Sequence, residues 1–144
     1  MNVLVIGASR GIGLEVVRQH LEAGNRVIGT ARDDAGLQRL RDLGAQPLKL
    51  DVTDPASVSG LSWQLDGEKL DLAYYVAGVF STEDAQSPPT QQAFDSMMHA
   101  NVLGAMQALP QVAPWVEEAQ GQFVFLTSDF AQIGGVESSR GWVY

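Results

Sequence analysis

The stretch Val3-Leu4-Val5-Ile6-Gly7-Ala8-Ser9-Arg10-Gly11-Ile12-Gly13 decides the fold of this chain. Four apolar residues without a polar interruption describe a strand covered on both faces. They run directly into a turn with glycines at 7, 11 and 13. Residues 14–23 then show a helical pattern, with Val16, Val17 and Leu21 sharing one face and Glu15, Arg18 and Glu22 the other. Strand, glycine turn and helix in that order form a phosphate cradle. Glycine lets the backbone approach an anion, and the helix start offers unpaired N–H groups and the positive end of the helix dipole.

Working outward, the alternation repeats at about 25-residue spacing. A strand is expected over residues 26–31, a helix over 35–43 closed by Gly44, and a strand over 47–52. Thr53-Asp54-Pro55 reads as the capped start of a helix reaching about residue 65. A fourth strand covers 70–76. After a loop over 77–89, Thr90 can cap a long helix ending near Glu118, with a break expected at Pro110, and a fifth strand covers 122–127. This pattern predicts an α/β fold: a three-layer, doubly wound parallel sheet (Rossmann fold), in one domain over residues 1–144. Such a sheet binds ligands beyond the carboxyl ends of its strands. Residues 7–13, Ala31-Arg32, Asp51-Val52, Ala77-Gly78 and Thr127-Ser128 all fall there.

Composition narrows the function. The 144 residues carry 9 Lys and Arg against 17 Asp and Glu, a formal charge of −8, with no basic cluster. That argues against nucleic acid and against an anionic membrane surface. There is no cysteine, which removes disulfides and thiolate metal sites. No apolar run approaches the ~20 residues of a membrane span, and a cytoplasmic location is the expectation. His20 and His99 have no metal-ligand spacing, so no metal is expected. Trp63 and Trp115 read as packing residues at helix ends. Met97, Met98 and Met106 fall on the long helix, where core packing and a homo-oligomer face are both open.

The Gly-x3-Gly-x-Gly spacing, with the rest of the chain, resembles the short-chain dehydrogenase/reductase family. The residues at 7–13 resemble its cofactor loop, including Gly7, Ser9, Arg10, Gly11, Ile12 and Gly13. Asp51-Val52 resembles the pair that meets the adenine, and Ala77-Gly78 the end of its Asn-Asn-Ala-Gly element. Asn101 resembles its helix asparagine, Ser128 its catalytic serine and Tyr144 its catalytic tyrosine. The ending Gly141-Trp142-Val143-Tyr144 is similar to the small C-factor-like branch. The resemblance implies hydride transfer between a nicotinamide and a carbonyl or alcohol substrate. Tyr144 would donate the proton, Ser128 would hold the substrate oxygen, and Asn101 would hold a water in the proton path.

Charge speaks to the choice of cofactor. An acid at the end of the second strand binds the ribose 2′-hydroxyl of NAD, whereas a 2′-phosphate needs cations. Arg32 ends that strand and Arg10 lies in the glycine loop, so NADP(H) is favoured over NAD(H). Asp33 and Asp34 follow at once and read as the solvated start of the second helix.

Two departures from the family qualify the resemblance. Its lysine, four residues beyond the tyrosine, falls past Tyr144, the last residue here. An unassisted tyrosine has a pKa near ~10 and is about one part in a thousand ionised at pH 7. The 144-residue chain is therefore expected to be C-terminally incomplete, with strands one to five of the usual seven, and to lack turnover. A dinucleotide-binding sensor or interaction module without catalysis is the alternative. Tyr75-Val76 also stands where the family has two asparagines, which removes the amide contacts that tie neighbouring strands.

Overall fold

In the computed structural model, residues 1–80 and 86–128 are described. Five strands form one parallel sheet: β1 (Asn2–Ile6), β2 (Arg26–Ala31), β3 (Gln46–Lys49), β4 (Leu72–Tyr75) and β5 (Gln122–Phe125), in the order β3-β2-β1-β4-β5. The strand order reverses between β1 and β4, which opens the sheet's carboxyl edge beside β1. This is the doubly wound α/β architecture that the alternation predicts.

β1 shows why the sheet is covered on both faces. Val3, Leu4, Val5 and Ile6 are all fully buried, and successive side chains point to opposite sides. Val3 and Val5 pack with Val17 of α1 (Gly11–Glu22) and with Leu37 and Leu40 of α2 (Asp34–Leu43). Leu4 and Ile6 pack with Val58 of α3 (Pro55–Ser59), Leu61 of α4 (Leu61–Gln64), and Ala105, Ala108 and Val112 of α6 (Gly104–Glu118). Burying each such side chain favours the fold by roughly 1.5–3 kcal/mol.

Several boundaries differ from the sequence expectation. α1 begins at Gly11, so two of the three glycines lie in its first turn. The helix expected from residue 55 to about 65 is divided into α3 and α4 at Gly60, which caps both pieces. The long helix does not break at Pro110. It changes instead at His99–Leu103, a π-helical turn between α5 (Gln91–Met98) and α6, while Pro110 and Pro114 lie inside α6. Both prolines are exposed, so the carbonyls left without an N–H partner can be hydrated. Trp63 is not a packing residue: it is 82% exposed, because the short α4 turns it away from the sheet. Trp115 does pack against the core. Met97 is buried, whereas Met98 and Met106 are exposed.

Candidate dinucleotide site

A cleft of about 840 Å3 opens beyond the carboxyl ends of β1, β2 and β4. Its floor is the glycine turn. Gly7 and Gly11 have φ of +90° and +54°, a region that disfavours side chains. The Gly7 N–H donates to the Thr30 hydroxyl at 3.0 Å, and the Ala8 N–H to the Thr30 carbonyl at 2.9 Å, which pins the turn to β2. A Cβ on Gly7 would come within 2.5 Å of the Ala77 nitrogen, and one on Gly13 would overlap the Gly7 carbonyl oxygen. The turn is thus closed around contacts that only hydrogen at these positions permits.

The N-terminus of α1 faces this cleft. Arg10, at the capping position, makes no side-chain capping bond, and the first turn carries no acid. The first N–H groups and the dipole are therefore available to an anion. These features fit the pyrophosphate of a dinucleotide.

Arg10 and Arg32 line the β2 side of the same cleft, and neither side chain donates a hydrogen bond to another described residue. Asp33 lines it too, but its carboxylate caps α2 by accepting the Gly36 N–H at 2.7 Å. On the far side, Asp51 accepts from the Thr53 hydroxyl at 2.7 Å and the Thr53 N–H at 2.9 Å, both on Oδ1. Those two bonds hold its carboxyl below the usual range; burial opposes them, and the charges of Arg32 and His99 add to them.

The structure brings together Gly7, Ser9, Arg10, Gly11, Ile12, Gly13, Arg32, Asp51, Val52, Ala77 and Gly78, all of which line this one cleft. Asn101 sits in the π-helical turn. Its side chain accepts the Val79 N–H at 2.8 Å and donates to the Val79 carbonyl at 2.9 Å, clamping the loop that follows β4. Ser128 is half-buried just beyond β5, whose following residue Leu126 reaches the cleft wall. Tyr144 lies outside the described residues.

Sequence reasoning missed Thr30, His99 and Arg39, which also line the cleft. Thr30 carried a signal, as the one polar residue in the run Val27 to Ala31 apart from glycine. His99 carried none, and its Nε2 is buried without a hydrogen-bond partner among the described residues. At the Tyr75-Val76 departure the structure makes a different tie, between a strand and a helix. The Tyr75 hydroxyl donates to the Ala100 carbonyl at 2.8 Å and ties β4 to the helix. Burial pushes its phenol well up, so it remains a donor.

Sheet order, glycine turn and open helix start together define a dinucleotide-binding α/β domain. The profile of the short chain dehydrogenase family matches residues 1–140, and the chain belongs to that family. An uncharacterized short-chain type dehydrogenase/reductase of Sinorhizobium fredii is 29% identical over 125 residues, covering 86% of this chain and 49% of that protein. L-fucose dehydrogenase of Rattus norvegicus is 26% identical over 146 residues, covering 99% and 53%. Among solved structures, a short-chain dehydrogenase/reductase from Burkholderia multivorans with bound NADP superposes with a TM-score of 0.88 at 27% identity, covering 99% of this chain and 65% of that one. The chain spans about half the length of these curated relatives. Among the described residues, no helix is long and apolar enough to cross a membrane, and no cluster of His, Asp and Glu could hold a metal.

Proposed function

We propose that the chain carries the cofactor-binding part of an NADP(H)-dependent oxidoreductase acting on a carbonyl or alcohol substrate. One observation carries the cofactor choice. Arg10 and Arg32 flank the cleft with their donors uncommitted among the described residues, while Asp33, the acid that follows β2, is bound to the start of α2. An acid engaged in capping is poorly placed to accept from a ribose 2′-hydroxyl, and guanidinium forks suit phosphate oxygens.

In this reading the N–H groups at the start of α1 hold the pyrophosphate, Arg10 and Arg32 hold the 2′-phosphate, and Asp51 and Val52 border the adenine. Ala77 and Gly78 let the β4 backbone come close to the ribose. NADP(H) supplies the hydride when bound. Ser128 orients the substrate oxygen and Tyr144 exchanges its proton. Asn101 contributes by holding the loop at Val79 with its side chain, and as a water holder in the proton path.

The test is to titrate NADPH and NADH into the protein and its Arg32→Ala variant, following nicotinamide fluorescence. NADPH is expected to bind more tightly, and Arg32→Ala to weaken it about tenfold, equivalent to ~1.4 kcal/mol, with NADH little changed. Equal losses for both cofactors would sink the assignment.

A further inference from the structure

Among the described residues, Arg39 is the one guanidinium of the cleft that comes from neither the glycine turn nor the end of β2. It lies on α2, and α2 is seated unusually close to the turn. Gly36 permits this: a Cβ there would stand 2.8 Å from the Ser9 Cβ and 2.8 Å from the Ala31 Cβ. Arg39 follows Gly36 by three residues, so both lie on the same helix face, and side chains on a helix lean toward its N-terminus. The Arg39 side chain therefore reaches back over the turn, where Nη1 donates to the Ser9 carbonyl oxygen. Its Nε and Nη2 meet no partner among the described residues, and the residue is exposed at the wall of the cleft that Arg10 and Arg32 also line.

We propose that Arg39 is a specificity-determining residue that staples the glycine turn to α2 through Ser9 and turns its remaining donors toward a phosphate on the ribose 2′-position, as the third cation of that subsite. The inference rests on the NADP(H) reading above and adds to it a residue from α2. Two physical points favour it. Asp33 leaves a negative charge in the same cleft even while capping α2, so a dianionic 2′-phosphate needs more than two cations to offset it. A guanidinium also offers donors in a fixed fork, so one nitrogen can stay on the Ser9 carbonyl while the others meet phosphate oxygens.

The test uses two pairs of ligands that differ in the 2′-phosphate: NADPH against NADH, and adenosine 2′,5′-bisphosphate against adenosine 5′-monophosphate. Each is titrated by calorimetry into the parent chain, Arg39→Ala and Arg39→Lys, with far-ultraviolet circular dichroism showing that the variants are folded. Arg39→Ala is expected to lower the preference for the phosphorylated member of each pair about tenfold. Arg39→Lys, which keeps charge but not the fork, is expected to recover part of it. A residue that only staples the turn would weaken both members of a pair by the same factor. A preference unchanged in Arg39→Ala therefore overturns the role of Arg39 while leaving the NADP(H) reading intact. A parent chain with no preference in either pair overturns both. Preference for the bisphosphate without preference for NADPH, lost in Arg39→Ala, supports the Arg39 subsite and overturns the dinucleotide reading.

Discussion

Replacing Tyr75 with phenylalanine removes one oxygen from the interior and tests how the chain manages without the asparagines of its family. Tyr75 is 4% exposed, and its hydroxyl donates to the Ala100 carbonyl at 2.8 Å. That carbonyl needs the bond because of the π-helical turn. In α-helical geometry the Gly104 N–H would reach Ala100, but here it bonds His99 instead. Phenylalanine keeps the ring and its packing against Phe125, so the lost free energy is that of the hydrogen bond and of the acceptor left behind. A buried group stripped of its partner costs about 1–3 kcal/mol. In a domain of this size that corresponds to a fall in Tm of roughly 4–10 °C. Gly104 provides a second handle. A Cβ there would stand 2.6 Å from the Tyr75 hydroxyl oxygen and 3.0 Å from the Val52 carbonyl. Gly104→Ala should be strongly destabilising in the parent and less so beside Tyr75→Phe, where the oxygen is gone. Urea unfolding of the four members of this cycle gives the coupling directly. A Tyr75→Phe cost below about 0.5 kcal/mol at unchanged m-value would refute the reasoning, as would strict additivity.

Three further outcomes follow from the structure. Gly13→Ala should prevent a properly folded turn, because the new Cβ would overlap the Gly7 carbonyl, whereas Gly11→Ala, with open space but a φ of +54°, should cost only about 1 kcal/mol; chemical denaturation distinguishes them. Asn101→Ala removes both bonds to Val79 and should raise amide exchange at Val79 while leaving β1 and β2 protected, as read by hydrogen exchange. His20 is held neutral by burial, and then by the nearby N-terminal amino group; its Nδ1 accepts from the Asn25 amide at 3.1 Å and its Nε2 meets the Tyr74 hydroxyl at 3.3 Å. Its folded pKa lies below the unfolded one, so the unfolded chain binds more protons between the two. Stability from this source is full above the ordinary histidine pKa of about 6.5 and declines as the pH falls from there toward the lower folded value, and His20→Gln should flatten that slope in pH-dependent melts.

The sequence by itself determined the sheet-and-helix alternation and the cradle at its start. An uninterrupted apolar run, glycines beside it and a 3.6-residue periodicity act on near neighbours, so Val3 to Gly13 could be read without knowing what surrounds it. Arg10, Arg32, Asp51 and Gly78 were legible for a related reason: each lies in the connection that follows a strand, where a doubly wound sheet gathers its ligand contacts. The tertiary structure decided whatever depends on pairs of residues distant along the chain. Arg39 faces the cleft because Gly36 lets α2 close on Ser9, and Asp33 is engaged in capping because α2 begins at Asp34. Tyr75 ties β4 to the helix because the helix changes its hydrogen-bond register 25 residues later, at Ala100. Trp63 points to solvent because α4 is a single short turn after Gly60. Propensity is local and packing is not, so the cradle was written in a few adjacent residues while the side chains that tune it were fixed only when the layers came together.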